Sequence, residues 1–283
     1  MRVHFGDQCL TLMPTSRTLR LWLRFKRWWA QPTLRDEDLL IAEIFSSLQG
    51  EGLLTGVPSV FVRASGCNLR CWFCDTPYTS WQPEGEDWSV EEVVEEVGRL
   101  ALEALIPIVA ENRFHELGER EKGETLTPAL SQREREQSIG ASGPAGPAGP
   151  TGAGPTSHVV RTGGEPMLFA EMMPLCRRLK EAGLHITVET AGTLDLPVEC
   201  DLMSISPKLA SSTPSQERGG KWAARHERSR HRPEVMRRLM RDYAYQLKFV
   251  IDSRADLVEV NAWLGEFPEV DRSRVLLMPQ GTD

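Results

Sequence analysis

At 283 residues the chain is long enough for one large domain or two ordinary ones, and its 40% hydrophobic and 26% charged residues are those of a globular protein. A net charge of -7 excludes a chain built to coat nucleic acid. The charge is unevenly spread: residues 1–35 carry seven Lys and Arg against one acid, a net of +6, which leaves -13 for the remainder.

Arg20–Ala30 (RLWLRFKRWWA) is basic and aromatic, suited to an interfacial helix or a presequence, but residues 1–37 as a whole read as a disordered basic extension. From residue 38 a compact pattern begins. Leu40–Leu48 and Ser59–Ala64 read as short strands joined by a glycine-rich connection. A helix starts after Ser89, where Ser89 and Glu92 have capping-box spacing and Val90, Val93, Val94 and Val97 form an apolar stripe. Residues 110–157 break the pattern with charged runs and GPAGPAGPTGAGP, a low-complexity insertion that buries too little to fold. Strand and helix then alternate: 159–164 (VVRTGG), a helix over Phe169–Ala182 closed by Gly183, strands Leu184–Glu189 and Asp201–Ser206, a helix over Met236–Arg241, a strand over Ala244–Ile251, a helix over Ala255–Phe267 and a strand over Arg274–Met278. That alternation implies parallel pairing with helices packed outside the sheet.

Three of the six cysteines lie within eight residues as Cys67-x-x-x-Cys71-x-x-Cys74, and Cys9, Cys176 and Cys200 are scattered. This is no disulfide scaffold, which implies a reducing, cytoplasmic compartment, and no apolar run reaches the roughly 20 residues of a membrane span. So short a loop can place three thiolates on three corners of a [4Fe–4S] cluster, leaving one iron open. The competing readings are a zinc knot and chance clustering. A closed zinc site wants four ligands, and the next histidine downstream is His115, in the insertion.

This loop, with an aromatic at Phe73, resembles the radical S-adenosylmethionine superfamily, as does Gly163-Gly164-Glu165-Pro166 at the end of the VVRT strand. The motifs around them narrow the match. Glu43-Ile-Phe-Ser-Ser-Leu-Gln-Gly-Glu-Gly52, Phe61-Val-Arg-Ala-Ser-Gly-Cys67, Cys74-Asp-Thr76, Glu189-Thr-Ala-Gly-Thr193, Ser206-Pro-Lys208 and Gln246-Leu-Lys-Phe249, in this order, are similar to the 7-carboxy-7-deazaguanine synthase family over about residues 39–110 and 157–283.

The resemblance implies an α/β fold, a partial (β/α) barrel of the radical S-adenosylmethionine type, spanning 38–283. It implies a lyase that converts 6-carboxy-5,6,7,8-tetrahydropterin to 7-carboxy-7-deazaguanine with loss of ammonia, for queuosine and tRNA modification. The implied cofactors are a [4Fe–4S] cluster on Cys67, Cys71 and Cys74, S-adenosylmethionine, and Mg2+ at Thr76. Substrate contacts fall on Leu48, Gln49, Gly50, Arg63 and Thr162. Cofactor contacts fall on Phe73, Cys74, Asp75, Gly164, Ser206, Pro207, Lys208, Gln246, Leu247, Lys248 and Phe249. Glu51 and Glu165 are placed in the site without a role. The implied partners are the pterin, a flavodoxin or ferredoxin as electron donor and a second copy of the chain, with no nucleic acid and no membrane. Against the family, the chain carries the insertion and is expected to be truncated after Val275–Asp283. A glycyl-radical activase and a catalytically impaired iron–sulfur protein are the alternatives; the Leu48–Gly52 segment with Arg63 and Thr76 favours a small pterin-like substrate over the activase, and metal content and S-adenosylmethionine cleavage separate the enzyme from the impaired protein.

Overall fold

The computed structural model describes residues 38–103 and 156–281, and of the N-terminal segment the backbone of β1 (Arg2–Phe5) and β2 (Gln8–Thr11), an antiparallel pair. The rest of the basic extension, nearly all of the low-complexity insertion and residues 282–283 lie outside the described residues.

β3 (Leu39–Leu48) and β4 (Pro58–Ala64) form an antiparallel hairpin, with β5 (Glu86–Trp88) added to the outer side of β3. Parallel pairing starts at β4. β6 (His158–Gly163), β7 (His185–Thr190), β8 (Leu202–Ile205), β9 (Tyr245–Ile251) and β10 (Val275–Pro279) follow in chain order. The eight-stranded sheet runs β10-β9-β8-β7-β6-β4-β3-β5 and stays open, its edges at β10 and β5. A parallel sheet that stops short of closure is what a partial barrel requires.

Helices supply the crossovers between parallel strands. After the cysteine loop come α1 (Pro77–Ser80), a single turn, and α2 (Val90–Glu103). α3 (Met172–Glu181) joins β6 to β7; α4 (Gln216–Gly219), α5 (Lys221–Ser229) and α6 (Pro233–Asp242) lie between β8 and β9; α7 (Arg254–Glu266) joins β9 to β10. None of the described helices is long and apolar enough to cross a membrane.

α2 shows how pattern becomes packing. Glu92 accepts from the Ser89 backbone at 2.9 Å and the Ser89 hydroxyl accepts from the Glu92 backbone at 3.3 Å, the expected capping box. Its valines are poor helix formers, yet Val90, Val93, Val94 and Val97 are all buried in the core. At about 1.5–3 kcal/mol per buried side chain, packing outweighs propensity. Leu175 and Leu179 of α3, Met236 and Leu239 of α6, and Val260 and Trp263 of α7 complete the same core.

Three local differences from the sequence expectation have physical causes. The helix expected from Phe169 starts at Met172, because Pro166 opens a separate 3-10 turn (Pro166–Leu168) whose Met167 amide is capped by Glu165 at 3.1 Å. α4 and α5 carry no apolar stripe to read; their buried side includes only Gly219, Ala223 and His226. The paired glycines after β6 are demanded by the chain itself. A Cβ on Gly163, at φ +127, would lie 2.0 Å from the Ala64 carbonyl oxygen, and one on Gly164 2.1 Å from that of Gly66.

Candidate active site

The carboxyl ends of the parallel strands, the β3–β4 turn and the cysteine loop enclose one cavity of about 680 Å3. That is where parallel α/β folds place their chemistry. Leu48, Gln49, Gly50, Arg63 and Thr162 all line it, as do Phe73, Cys74, Asp75, Gly164, Ser206, Lys208 and Lys248, together with Cys67, Cys71 and Thr76. Four of the expected cofactor contacts do not. Pro207 is buried beside the cavity. Gln246 is buried, accepting from the Leu53 amide at 2.8 Å and donating to the Ser204 hydroxyl at 2.8 Å, so it fastens the β3–β4 turn to β8. Leu247 and Phe249 point to the other face of β9, into the core, where Phe249 meets Trp263 edge to face. Strand alternation makes this unavoidable once Lys248 faces the cavity.

The cysteine loop is pinned on every side. Gly66 N–H donates to the Thr79 carbonyl at 2.7 Å, Trp81 Nε1 to the Cys71 carbonyl at 3.1 Å, and Arg70 Nη1 to the Cys67 and Leu69 carbonyls at 2.6 Å. The three cysteines are half-buried around the cavity, with the Ser80 hydroxyl 3.2 Å from the Cys74 sulfur. Burial pushes the Cys67 thiol up to about 12 and the Cys71 thiol to about 11, so ligation there must displace protons. Among the described residues no three His, Cys, Asp or Glu side chains converge closely enough to hold a single metal ion. Three soft thiolates around shared open space, without a fourth ligand, fit an iron–sulfur cluster better than zinc. Cys176 lies in the core and Cys200 packs against it.

Ion pairs build another part of the wall. Lys248, 5% exposed, places Nζ 2.5 Å from Glu51 and 3.0 Å from Glu189, and Glu189 also accepts from the Thr162 hydroxyl at 2.7 Å. Burial opposes charge on both partners, but the attraction wins: Glu189 is held below the usual carboxylate range and Lys248 above the usual ammonium range. Glu43 accepts from Arg63 Nε at 2.6 Å and from the Tyr78 hydroxyl at 2.7 Å. Phe45 and Phe61 stack at 5.2 Å and line the same cavity.

Glu189, Phe45 and Phe61 are cavity residues that the family motifs contain but to which the sequence assigned no role. Alternation along β4 carried a signal for Phe61, which shares a face with Arg63 while Val60 and Val62 enter the core. Glu51 lines the cavity; Glu165 does not. Its carboxylate is fully buried and accepts from Met167 N–H, Thr190 Oγ and Ala191 N–H, locking the GGEP turn to the end of β7. Burial raises its pKa despite those bonds.

A relative from Rhodopirellula baltica named 7-carboxy-7-deazaguanine synthase is 37% identical over 247 residues, covering 87% of this chain and 75% of that one. One of the same name from Halobacterium salinarum is 38% identical over 253 residues, covering 86% and 78%. The crystal structure of QueE from Escherichia coli matches in fold, with a TM-score of 0.50 at 22% identity over 86% of this chain and 84% of that chain. No family model matches.

Proposed function

The chain belongs to the 7-carboxy-7-deazaguanine synthase family, and on that premise we propose that it converts 6-carboxy-5,6,7,8-tetrahydropterin to 7-carboxy-7-deazaguanine with release of ammonia, in the biosynthesis of queuosine and related 7-deazapurines. The observation that carries the reading is that one cavity gathers Cys67, Cys71 and Cys74 with Gln49, Arg63 and Thr162. Residues 38–283 are read as one catalytic core interrupted by the insertion.

When bound, a [4Fe–4S] cluster on the three cysteines and S-adenosylmethionine supply the radical chemistry. Phe73, Cys74, Asp75, Gly164, Ser206, Pro207, Lys208, Gln246 and Lys248 are the proposed contacts for S-adenosylmethionine, with Leu247 and Phe249 offering backbone alone. The protein's own groups bind and orient the pterin. Glu43 occupies the Nε edge of Arg63, so the terminal guanidinium nitrogens take the substrate carboxylate. Gln49 donates its amide to Ser59 at 2.9 Å, which leaves its carbonyl for a donor on the pterin ring. The stacked Phe45–Phe61 pair offers a flat apolar wall for a bicyclic ring. Thr76 is the proposed Mg2+ ligand, completed by substrate oxygens and water. A flavodoxin or ferredoxin as electron donor, a homodimer and a cytoplasmic location complete the proposal.

The test is anaerobic reconstitution with iron and sulfide, followed by incubation with S-adenosylmethionine, Mg2+, a reductant and 6-carboxytetrahydropterin. Chromatography is expected to detect 7-carboxy-7-deazaguanine, and a Cys71→Ala variant is expected to make none. Release of 5′-deoxyadenosine without that product would refute the substrate; a protein that takes up zinc and no iron would refute the chemistry.

A further inference from the structure

α5 is hard to explain as a packing element. It spans nine residues, Lys221–Ser229, and buries only Ala223 and His226, the latter 1% exposed. A buried histidine among charged neighbours calls for partners, and here every ring nitrogen has one. The Arg70 backbone N–H donates to His226 Nδ1 at 3.0 Å. That bond makes Nδ1 the acceptor, so Nε2 carries the proton and donates to the Ser212 hydroxyl at 2.9 Å. The Ser212 hydroxyl in turn donates to the Leu209 carbonyl at 2.6 Å. The chain of bonds has one direction and leaves neither ring nitrogen unpaired. Burial lowers the imidazole pKa to about 4, consistent with a neutral ring throughout the physiological range.

What this chain joins is specific. Arg70 lies between Cys67 and Cys71. Ser212 ends the 3-10 turn (Ala210–Ser212) that follows Ser206-Pro207-Lys208. Two further bonds cross the same seam: Trp72 N–H to the Ser212 carbonyl at 3.2 Å and Trp72 Nε1 to the Ser211 carbonyl at 2.6 Å. One helical turn before His226, the Trp222 ring lies under the Arg70 guanidinium at 4.3 Å. α5 therefore grips Arg70 by backbone and side chain at once, while Arg70 Nη1 holds the Cys67 carbonyl. Neither His226 nor Ser212 lines the cavity.

We propose that His226 is a positioning residue that keys the cysteine loop to the turn after β8, setting the three thiols against the Ser206–Lys208 side of the cavity. This rests on the reading of the cysteines as cluster ligands. Residues that orient metal ligands through hydrogen bonds typically change metal retention by about 10–100-fold when removed.

The experiment compares wild type with three full-length variants: His226→Leu, without either polar atom; His226→Asn, whose amide oxygen stands in for Nδ1; and Ser212→Ala. Two quantities are read: the rate at which a chelator strips iron from reconstituted protein, and the change in the electron paramagnetic resonance spectrum of the reduced cluster on adding S-adenosylmethionine. His226→Leu is expected to lose iron about tenfold faster or more and to show a weakened spectral response, with His226→Asn recovering most of both. Iron loss at the wild-type rate with an unchanged spectral response in folded His226→Leu would overturn the proposal, as would a His226→Asn variant that recovers nothing. Should His226→Leu not fold, Ser212→Ala decides: faster iron loss supports the clamp, and wild-type retention sinks it. If the wild type binds no iron, the cluster reading fails on its own. The clamp is then judged by amide exchange of the 67–74 segment, expected to be about tenfold faster in His226→Leu and overturned by equal rates.

Discussion

The two walls of the cavity are built from opposite kinds of interaction. The cysteine loop is held by hydrogen bonds, from Trp81, Thr79, His226 and the Ser211 and Ser212 carbonyls and from its own Arg70 guanidinium to the Cys67 and Leu69 carbonyls. The other wall is held by ion pairs, through Lys248 with Glu51 and Glu189 and through Arg63 with Glu43. The difference teaches a division of labour. Hydrogen bonds, those of the Arg70 guanidinium included, fix the position of thiols that must ionise to bind metal. Ion pairs keep fixed charges ready to meet a charged substrate. The GGEP turn follows the hydrogen-bonded pattern: Glu165, fully buried, is locked by backbone and hydroxyl donors.

Removing the cation of the charged wall has the largest expected effect. Lys248→Met leaves the half-buried Glu189 beside Glu51 with Arg63 as its remaining positive neighbour, which is expected to cost about 1–3 kcal/mol of stability at neutral pH in denaturant unfolding of the apoprotein. The sign of its pH dependence sharpens the point. In the wild type, Glu189 has a depressed pKa, so its contribution is present above the unfolded carboxylate value and lost only as pH falls through the lower folded one. In the variant the half-buried carboxylate has a raised pKa, so the deficit narrows on acidification. An equal deficit at pH 5 and pH 8 would break the argument.

Arg63→Lys is expected to raise KM for the pterin about tenfold with a smaller change in kcat, because lysine lacks both the carboxylate fork and the Nε held by Glu43. Unchanged kinetics would separate Arg63 from the substrate carboxylate.

The smallest effect distinguishes the walls by pH. The folded pKa of His226, about 4, lies below its unfolded value near 6.5, so the stability it contributes is full above 6.5 and lost as pH falls toward 4. Glu227, Arg230 and Lys208 are the charges that bear on it. Across pH 6.5 to 4.5 the seam at Arg70 is expected to loosen by a few-fold in amide exchange while the Lys248 bridge stays intact, and His226→Asn is expected to show no such step. A wild-type profile as flat as the variant's would remove the histidine from the account.

Much of this architecture is local, and local chemistry is legible in a chain. Cysteine spacing, the GGEP turn, the capping box at Ser89 and the alternating strands and helices are set by neighbours a few residues apart. Gln49, Gly50 and Arg63 were named through the family resemblance alone, and the fold then set them on one cavity. α5 was not legible, since its one informative buried side chain, His226, answers to residues 14 and 156 positions away. Nor was the role of Glu165, whose partners at Thr190 and Ala191 belong to another strand. Gln246 to Phe249 mark the boundary most sharply. Alternation dictates that Gln246 and Lys248 share one face and Leu247 and Phe249 the other. Which face meets the cavity was decided only when Trp263 of α7 packed against Phe249 and two distant carboxylates, Glu51 of the β3–β4 turn and Glu189 of β7, closed on Lys248. A strand's periodicity is a property of its own backbone, whereas the environment on each face is supplied by whatever the rest of the chain packs there.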